Sequence, residues 1–205
     1  MKTIITTITI CLIFGVFATS KAQMLAIGIE GGVNFGNISV TPTTTTSSRT
    51  GVIFGSLLDI NISPRFAITP GVRYVMKGWS NTDNGVTYTD KLSYIEVPVY
   101  AKVNFPLTEV KPFLAFAPVL AIQVSATEDQ SNGTQSASVD ISSLVETIDF
   151  DLLFAGGIDF KVAKTTSLFF QAAYELGLTN ILKNSQTTTI KNYGLQLTGG
   201  VKFGL

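Results

Sequence analysis

Eight times between Leu25 and Gly204 the chain alternates bulky apolar residues with small or polar ones at a period of two. The runs cover residues 25–37, 50–62, 65–79, 91–105, 112–126, 149–162, 167–179 and 191–204. Each is about 13 residues, whereas strands of soluble domains have about 5–6 and a lipid-crossing strand needs about 9–11 plus overhang. Successive side chains of a strand point to opposite faces, so each run has two faces of different chemistry. In the fourth run Ile95, Val97, Val99, Ala101, Val103 and Phe105 share one face, while Tyr94, Glu96, Tyr100, Lys102 and Asn104 share the other. In the sixth, Phe150, Leu152, Phe154, Ile158 and Phe160 oppose Asp151, Gly157, Asp159 and Lys161. The fifth run breaks the rule, being almost wholly apolar from Phe113 to Val124. Pro70, Pro98 and Pro118 also fall inside runs, where each removes one ladder donor.

The composition decides which face meets what. Hydrophobic residues make up 45% of the chain and charged residues only 14%, against about 25% charged in an average soluble domain. The polar face is rich in Gly, Ala, Ser and Thr, with a few charges. That suits the interior of a narrow barrel, where small residues leave room for large ones. The apolar face is then turned to lipid. The alternative is a soluble exported β-barrel or sandwich with the apolar faces inside.

The connections alternate in length. Those at 63–64, 106–111 and 163–166 are short; those at 38–49, 80–90, 127–148 and 180–190 are long and polar. Outer-membrane barrels have short periplasmic turns and long external loops. The pattern predicts an all-β fold: an eight-stranded antiparallel up-and-down transmembrane β-barrel with both termini in the periplasm. Residues 141–147 (ISSLVET) are expected to form a short helix in the third long loop, and the Thr/Ser tract at 43–48 a loop tip.

The start of the chain reads as an address. Lys2 precedes an apolar or small stretch from Ile4 to Ala18, and Ser20-Lys21-Ala22 offers small residues to a signal peptidase. The stretch is too short for the ~20 residues that span a bilayer as a helix. The expected organisation is a cleaved signal peptide over 1–22 and one barrel domain over 23–205. The single cysteine, Cys11, falls in the first part.

Several chemistries are excluded by residue type. The chain contains no histidine, which removes Ser-His-acid triads, Cys-His pairs and His-ligated metals. Net charge is zero and no basic stripe occurs, which argues against nucleic acid. Gly28, Gly31 and Gly32 precede no helical pattern, so they do not form a dinucleotide loop. No catalytic, cofactor or metal site is expected, and the chain is read as a non-enzyme. The residues that stand out are charges on the inward face: Glu30, Asp59, Glu96, Asp151, Asp159 and Glu175 against Arg73, Lys77, Lys102, Lys161 and Lys202. Unpaired charges in a narrow interior are costly, so a network of ion pairs plugging the lumen is expected. Trp79, Tyr74, Tyr88, Tyr94, Tyr100 and Tyr193 are candidates for interfacial girdles, some of them for interior packing.

Certain segments carry a family resemblance. They are Tyr94-Ile95-Glu96-Val97-Pro98-Val99, Tyr174-Glu175-Leu176-Gly177-Leu178 and the closing Leu195-Gln196-Leu197-Thr198-Gly199-Gly200-Val201-Lys202-Phe203. Together with Gly28, Gly31, Gly32 and Phe35 in the first run, they resemble the PorT-like, "porin family" group of small outer-membrane β-barrels. The resemblance covers the whole chain after Gln23. It implies a bacterial outer-membrane location, contact with outer-membrane lipid and insertion by the barrel-assembly machinery. The expected function is structural or interactive, with external loops offered to a surface protein or polysaccharide. The alternative is a narrow channel for small solutes or ions.

Overall fold

The structure, a computed structural model, describes residues 25–43, 45–105, 107, 110–185 and 187–205. The signal peptide expected over 1–22 lies outside the described residues. Nine strands are present among them: β1 (Leu25–Thr41), β2 (Ser47–Asn61), β3 (Phe66–Asp83), β4 (Val86–Asn104), β5 (Val110–Ser131), β6 (Ser136–Asp140), β7 (Ile148–Lys161), β8 (Thr166–Gly177) and β9 (Thr189–Gly204). All adjacent pairs are antiparallel, and β4 pairs with β5 as well as β3. The sheet therefore closes on itself. Eight strands form the ring, and the short β6 pairs with β5 alone, above the ring. The seam joins β1 to β9 from Ala26↔Gly204 to Thr41↔Thr189. Closure leaves no edge of unpaired backbone, which is what a strand protein needs in hydrocarbon.

In the ring, strand lengths run from 12 residues in β8 to 22 in β5. The outward apolar belt is shorter: on β4 it runs from Ile95 to Phe105, and on β5 from Leu114 to Val124. The excess projects beyond the belt at the long-connection end. There the segment 80–90, expected as a loop, is strand on both sides of a two-residue turn. Asn84 and Gly85 both have positive φ (49° and 80°), the conformation that matches the right-handed twist of a hairpin. Segment 127–148 also differs from expectation. Its first part is the β5–β6 hairpin. Residues 141–147 form turns rather than a helix, and Val145 bridges Leu182 across two connections. Four residues from a closed turn to a cross-loop bridge leave no length for helical propagation.

The anomalies of the fifth run have a structural cause. Phe113, Ala115, Ala117 and Val119 point inward and pack with Tyr100, Leu153, Ala155 and Ala173, so one wall of the lumen is apolar. Leu114, Phe116, Leu120 and Ile122 point outward. A bulge at Val124, between the pairs Tyr94↔Gln123 and Ser93↔Ser125, then flips the phase. Ala121 below it and Ala126 above it both face in. The prolines are absorbed as local lapses in pairing. Between β4 and β5 no pair occurs from Pro98↔Val119 to Ala101↔Phe116, and between β3 and β4 none from Pro70↔Val99 to Arg73↔Glu96.

Interior glycines sit where neighbours are too close for a side chain. A Cβ on Gly55 would lie 2.5 Å from Cβ of Arg73, and one on Gly157 would lie 2.4 Å from the Phe113 ring. The outward face is predominantly apolar, with Phe54 and Tyr74 in ring contact at 5.0 Å and Phe116 and Phe154 at 5.3 Å. Tyr94 and Tyr100 are interior residues rather than girdle residues. Val99, exposed in the middle of the belt, tests this arrangement. Val99→Arg should lower unfolding stability in lipid vesicles by about 2–4 kcal/mol. Thr45→Arg, in an exposed connection, should leave the urea midpoint unchanged. Equal midpoints for the two variants would mean that the apolar face does not meet lipid.

Candidate functional site

The inward face of every ring strand lines the lumen, and on the strands with a polar face alternation places the charges there. The central group is built around Lys77 of β3. Its Nζ is 2.8 Å from Glu96 Oε1 and 2.7 Å from Asp151 Oδ2, and it bonds Glu175 Oε1 as well. An ammonium has three N–H donors, and here three carboxylates from β4, β7 and β8 surround it. Arg73, two turns of the pleat away on β3, takes the other oxygen of Glu96 through Nε (2.9 Å) and Nη2 (2.6 Å). Its Nη1 donates to the Tyr100 hydroxyl at 3.2 Å, to which Gln171 also donates at 3.3 Å. Gln196 Nε2 donates to the free oxygen of Glu175 at 2.8 Å. The Tyr94 ring lies 4.9 Å from the Lys77 ammonium.

A second group lies toward the short turns. Lys202 Nζ is held between Asp59 Oδ2 at 2.8 Å and Asp159 Oδ1 at 2.7 Å. Thr69 Oγ1 donates to Asp59 at 2.6 Å. Lys102 is 3.9 Å from Asp159 and 3.9 Å from the centre of the Phe113 ring. Glu30 is buried between the two groups, with Arg73 and Lys102 as basic neighbours. Of the eleven charges expected in the lumen, Lys161 is the exception: it is exposed. It has the inward parity of Asp159 but is the last residue of β7, at the mouth, where water reaches it.

Several interior polar residues were not singled out by sequence. Asp149 accepts from Asn192 Nδ2 at 2.8 Å and from the Thr179 hydroxyl. Asn34 donates to the Met76 carbonyl at 3.0 Å. Asp149 shares the parity of Asp151, so the alternation that found one contained the other. Above this layer the lumen is stopped by an apolar plug. Val145 and Ile181, from the third and fourth long connections, pack on Leu92, Tyr94, Ala121 and Ala126, with Trp79 against them.

The oxygens of Glu96, Asp151 and Glu175 lie within 4.8 Å of one another, close enough to ligate a cation. The Lys77 ammonium fills that position. These carboxylates are therefore paired with fixed bases. Removing one member of such a buried group strands the rest, at a cost of about 3–5 kcal/mol. Lys77→Met should lower the urea midpoint by that order and abolish the compact band on unboiled gels. An unchanged midpoint would show that the acids do not depend on Lys77.

Beyond the belt, Asp90 sits opposite Glu128 in the projecting sheet. Burial, then the Glu128 charge, pushes its carboxyl up to about 6. A raised carboxyl pKa favours the protonated form in the folded sheet. This sheet is therefore most stable below the unfolded value near 3.8 and loses that stability as pH rises toward 6. Carboxyl ¹³C NMR should show Asp90 titrating near 6 and moving down in Glu128→Gln. A midpoint at the ordinary aspartate value would refute the burial.

The comparisons with known proteins follow this geometry. The family model described as outer membrane protein beta-barrel domain matches residues 17–183. No curated protein matches the chain in sequence. Among solved structures, the fold is similar to Neisserial surface protein A (NspA), at 13% identity and TM-score 0.55, covering 91% of this chain and 100% of that one. It is also similar to the outer membrane protein OprG from Pseudomonas aeruginosa, at 10% identity and TM-score 0.50, covering 90% and 98%. With the ring closed, its outer face apolar and this match spanning most of its length, the chain belongs to the outer membrane protein beta-barrel domain family and resides in the bacterial outer membrane.

Proposed function

We propose that this protein is a non-conducting, non-catalytic barrel that holds an elevated β-sheet outside the cell for a surface protein or polysaccharide partner. The observation that carries the reading is the filled lumen. Its cross-section is occupied by the Lys77 and Lys202 groups and then by the Val145–Ile181 plug. Eight-stranded barrels have an interior just wide enough for side chains, so the surface left for function is that of the projecting hairpins. β3–β4 and β5–β6 extend there with exposed hydroxyl and amide side chains, including Ser131, Asn132, Gln135 and Ser136. Loops and hairpins on rigid scaffolds are where recognition is usually carried.

The long-connection end is external on this reading because short turns of such barrels face the periplasm. Export by a signal peptide cut after Ala22, insertion by the barrel-assembly machinery and a finer place in the PorT-like group go with it. Their support is the Ser20-Lys21-Ala22 sequence, the apolar belt and the Tyr94–Val99 segment, respectively.

Planar-bilayer recording tests the filled lumen: the purified protein should give no unitary steps. Reproducible steps that persist in Lys77→Met would favour the narrow-channel alternative. Orientation has its own test. In intact cells, a membrane-impermeant maleimide should label Ser136→Cys, while Lys164→Cys should react only after the outer membrane is opened. The reverse pattern would invert the assignment.

A further inference from the structure

The two ends of the lumen are not alike. The external end is stopped by the apolar plug, whereas the periplasmic end opens into a cavity of about 190 Å³. Its floor is Lys202, held by Asp59 and Asp159 at 2.8 and 2.7 Å. Deeper in lies a void of about 10 Å³, bordered by Glu30, Thr69, Tyr100 and Lys102. That is room for about one water and no larger solute. The cavity is therefore a cup: what goes in must leave by the same mouth.

Its charge is unbalanced. Lys111, Lys161 and Lys164 line the mouth above Lys202, and no ion pair joins any of the three among the described residues. Both aspartates of the cup are already engaged by Lys202, and one of them also faces the buried Lys102. Among the described residues that line the cup, four lysines thus face two carboxylates. Lys102 makes the imbalance more than a surface matter. It is 7% exposed, with a carboxylate oxygen of Asp159 and the centre of the Phe113 ring each 3.9 Å from its ammonium. A buried ammonium so loosely paired raises the potential of the space next to it. Thr165 and Ser167 add hydroxyls to the wall, while Leu25, Leu107 and Val110 make one side apolar.

We infer that this cup binds a phosphate ester group from the periplasmic side, with Lys111, Lys161 and Lys164 as its charged contacts and Thr165 and Ser167 as donors. Lysine serves phosphate as a point charge without a fixed fork geometry, which suits side chains converging from two separate connections. The group comes either from an inner-leaflet phospholipid headgroup, whose chains lie along the apolar side, or from a soluble periplasmic phosphate.

The test is calorimetric titration of the full protein, folded in a zwitterionic detergent, with two probes: inorganic phosphate and dihexanoyl phosphatidylglycerol. Saturable binding of either probe is expected, weakened at least about tenfold in Lys161→Gln/Lys164→Gln (RT ln 10 is about 1.4 kcal/mol). Lys183→Gln/Lys191→Gln, the same charge change at the other end, should bind as the unaltered protein does. Binding of phosphate points to a soluble source, and binding of the lipid alone to a headgroup. Both altered residues of the first variant are exposed, so its heat-modifiable band should be unchanged. The inference is overturned if neither probe saturates, or if both double variants lose affinity equally.

Discussion

In hydrocarbon there is no water to take up a backbone N–H or C=O, and each one left unpaired costs several kcal/mol. Every other feature of this molecule is arranged around that constraint. A sheet satisfies it only by closing, and closing eight strands fixes a narrow lumen. The narrowness then dictates what can point inward. Gly55 and Gly157 stand beside Arg73 and Phe113 because a second side chain would not fit. The charges that do point inward are placed so that Lys77, Arg73 and Lys202 each meet more than one oxygen. The prolines show how local the constraint is. The ladder lapses beside Pro70, Pro98 and Pro118, yet resumes within two or three residues on either side.

The lumen is organised in tiers. At the short-turn end is an open, lysine-rich cup; next come two ion-paired groups; then a layer of amides and Asp149; finally an apolar plug drawn from the long connections. Polar tiers would leave the mouth at the long-connection end wet. Val145 and Ile181 instead dry it, and the Val145↔Leu182 bridge ties the two connections that supply them. The rigidity of the ring is thereby passed to the hairpins above it.

Much of this was legible in the sequence, for a physical reason. A period of two survives only where the two faces meet different media. The eight runs therefore reported both strand positions and the inward placement of Glu96, Asp151 and Lys202. The signal failed where the media are the same. Beyond the belt, from Ser80 to Thr89, both faces of the β3–β4 hairpin are at least partly exposed, so segment 80–90 carries no clear alternation and reads as a loop. The Asn84-Gly85 pair was the available sign of a tight hairpin. On β5 both faces are apolar, and periodicity vanished for the opposite cause. The apolar character of 141–147 was real, but it serves the plug through Val145 rather than a helix. Lys161 kept the right parity and was misplaced by depth, which alternation does not encode. The cup itself depends on two turns and the ends of three further strands coming together, and no local pattern announces that.

The seam has a consequence in time. Its sixteen residue pairs join the first strand to the last, from Ala26↔Gly204 onward. No N-terminal fragment of this ring has a partner for the outer edge of β1, however many strands it contains. The growing chain can thus complete nothing as it emerges. Until β9 arrives it must be kept unfolded and away from other open edges, and the final step then pairs residues at the greatest separation the chain allows. Closure of the ring is accordingly all-or-none with respect to the last strand.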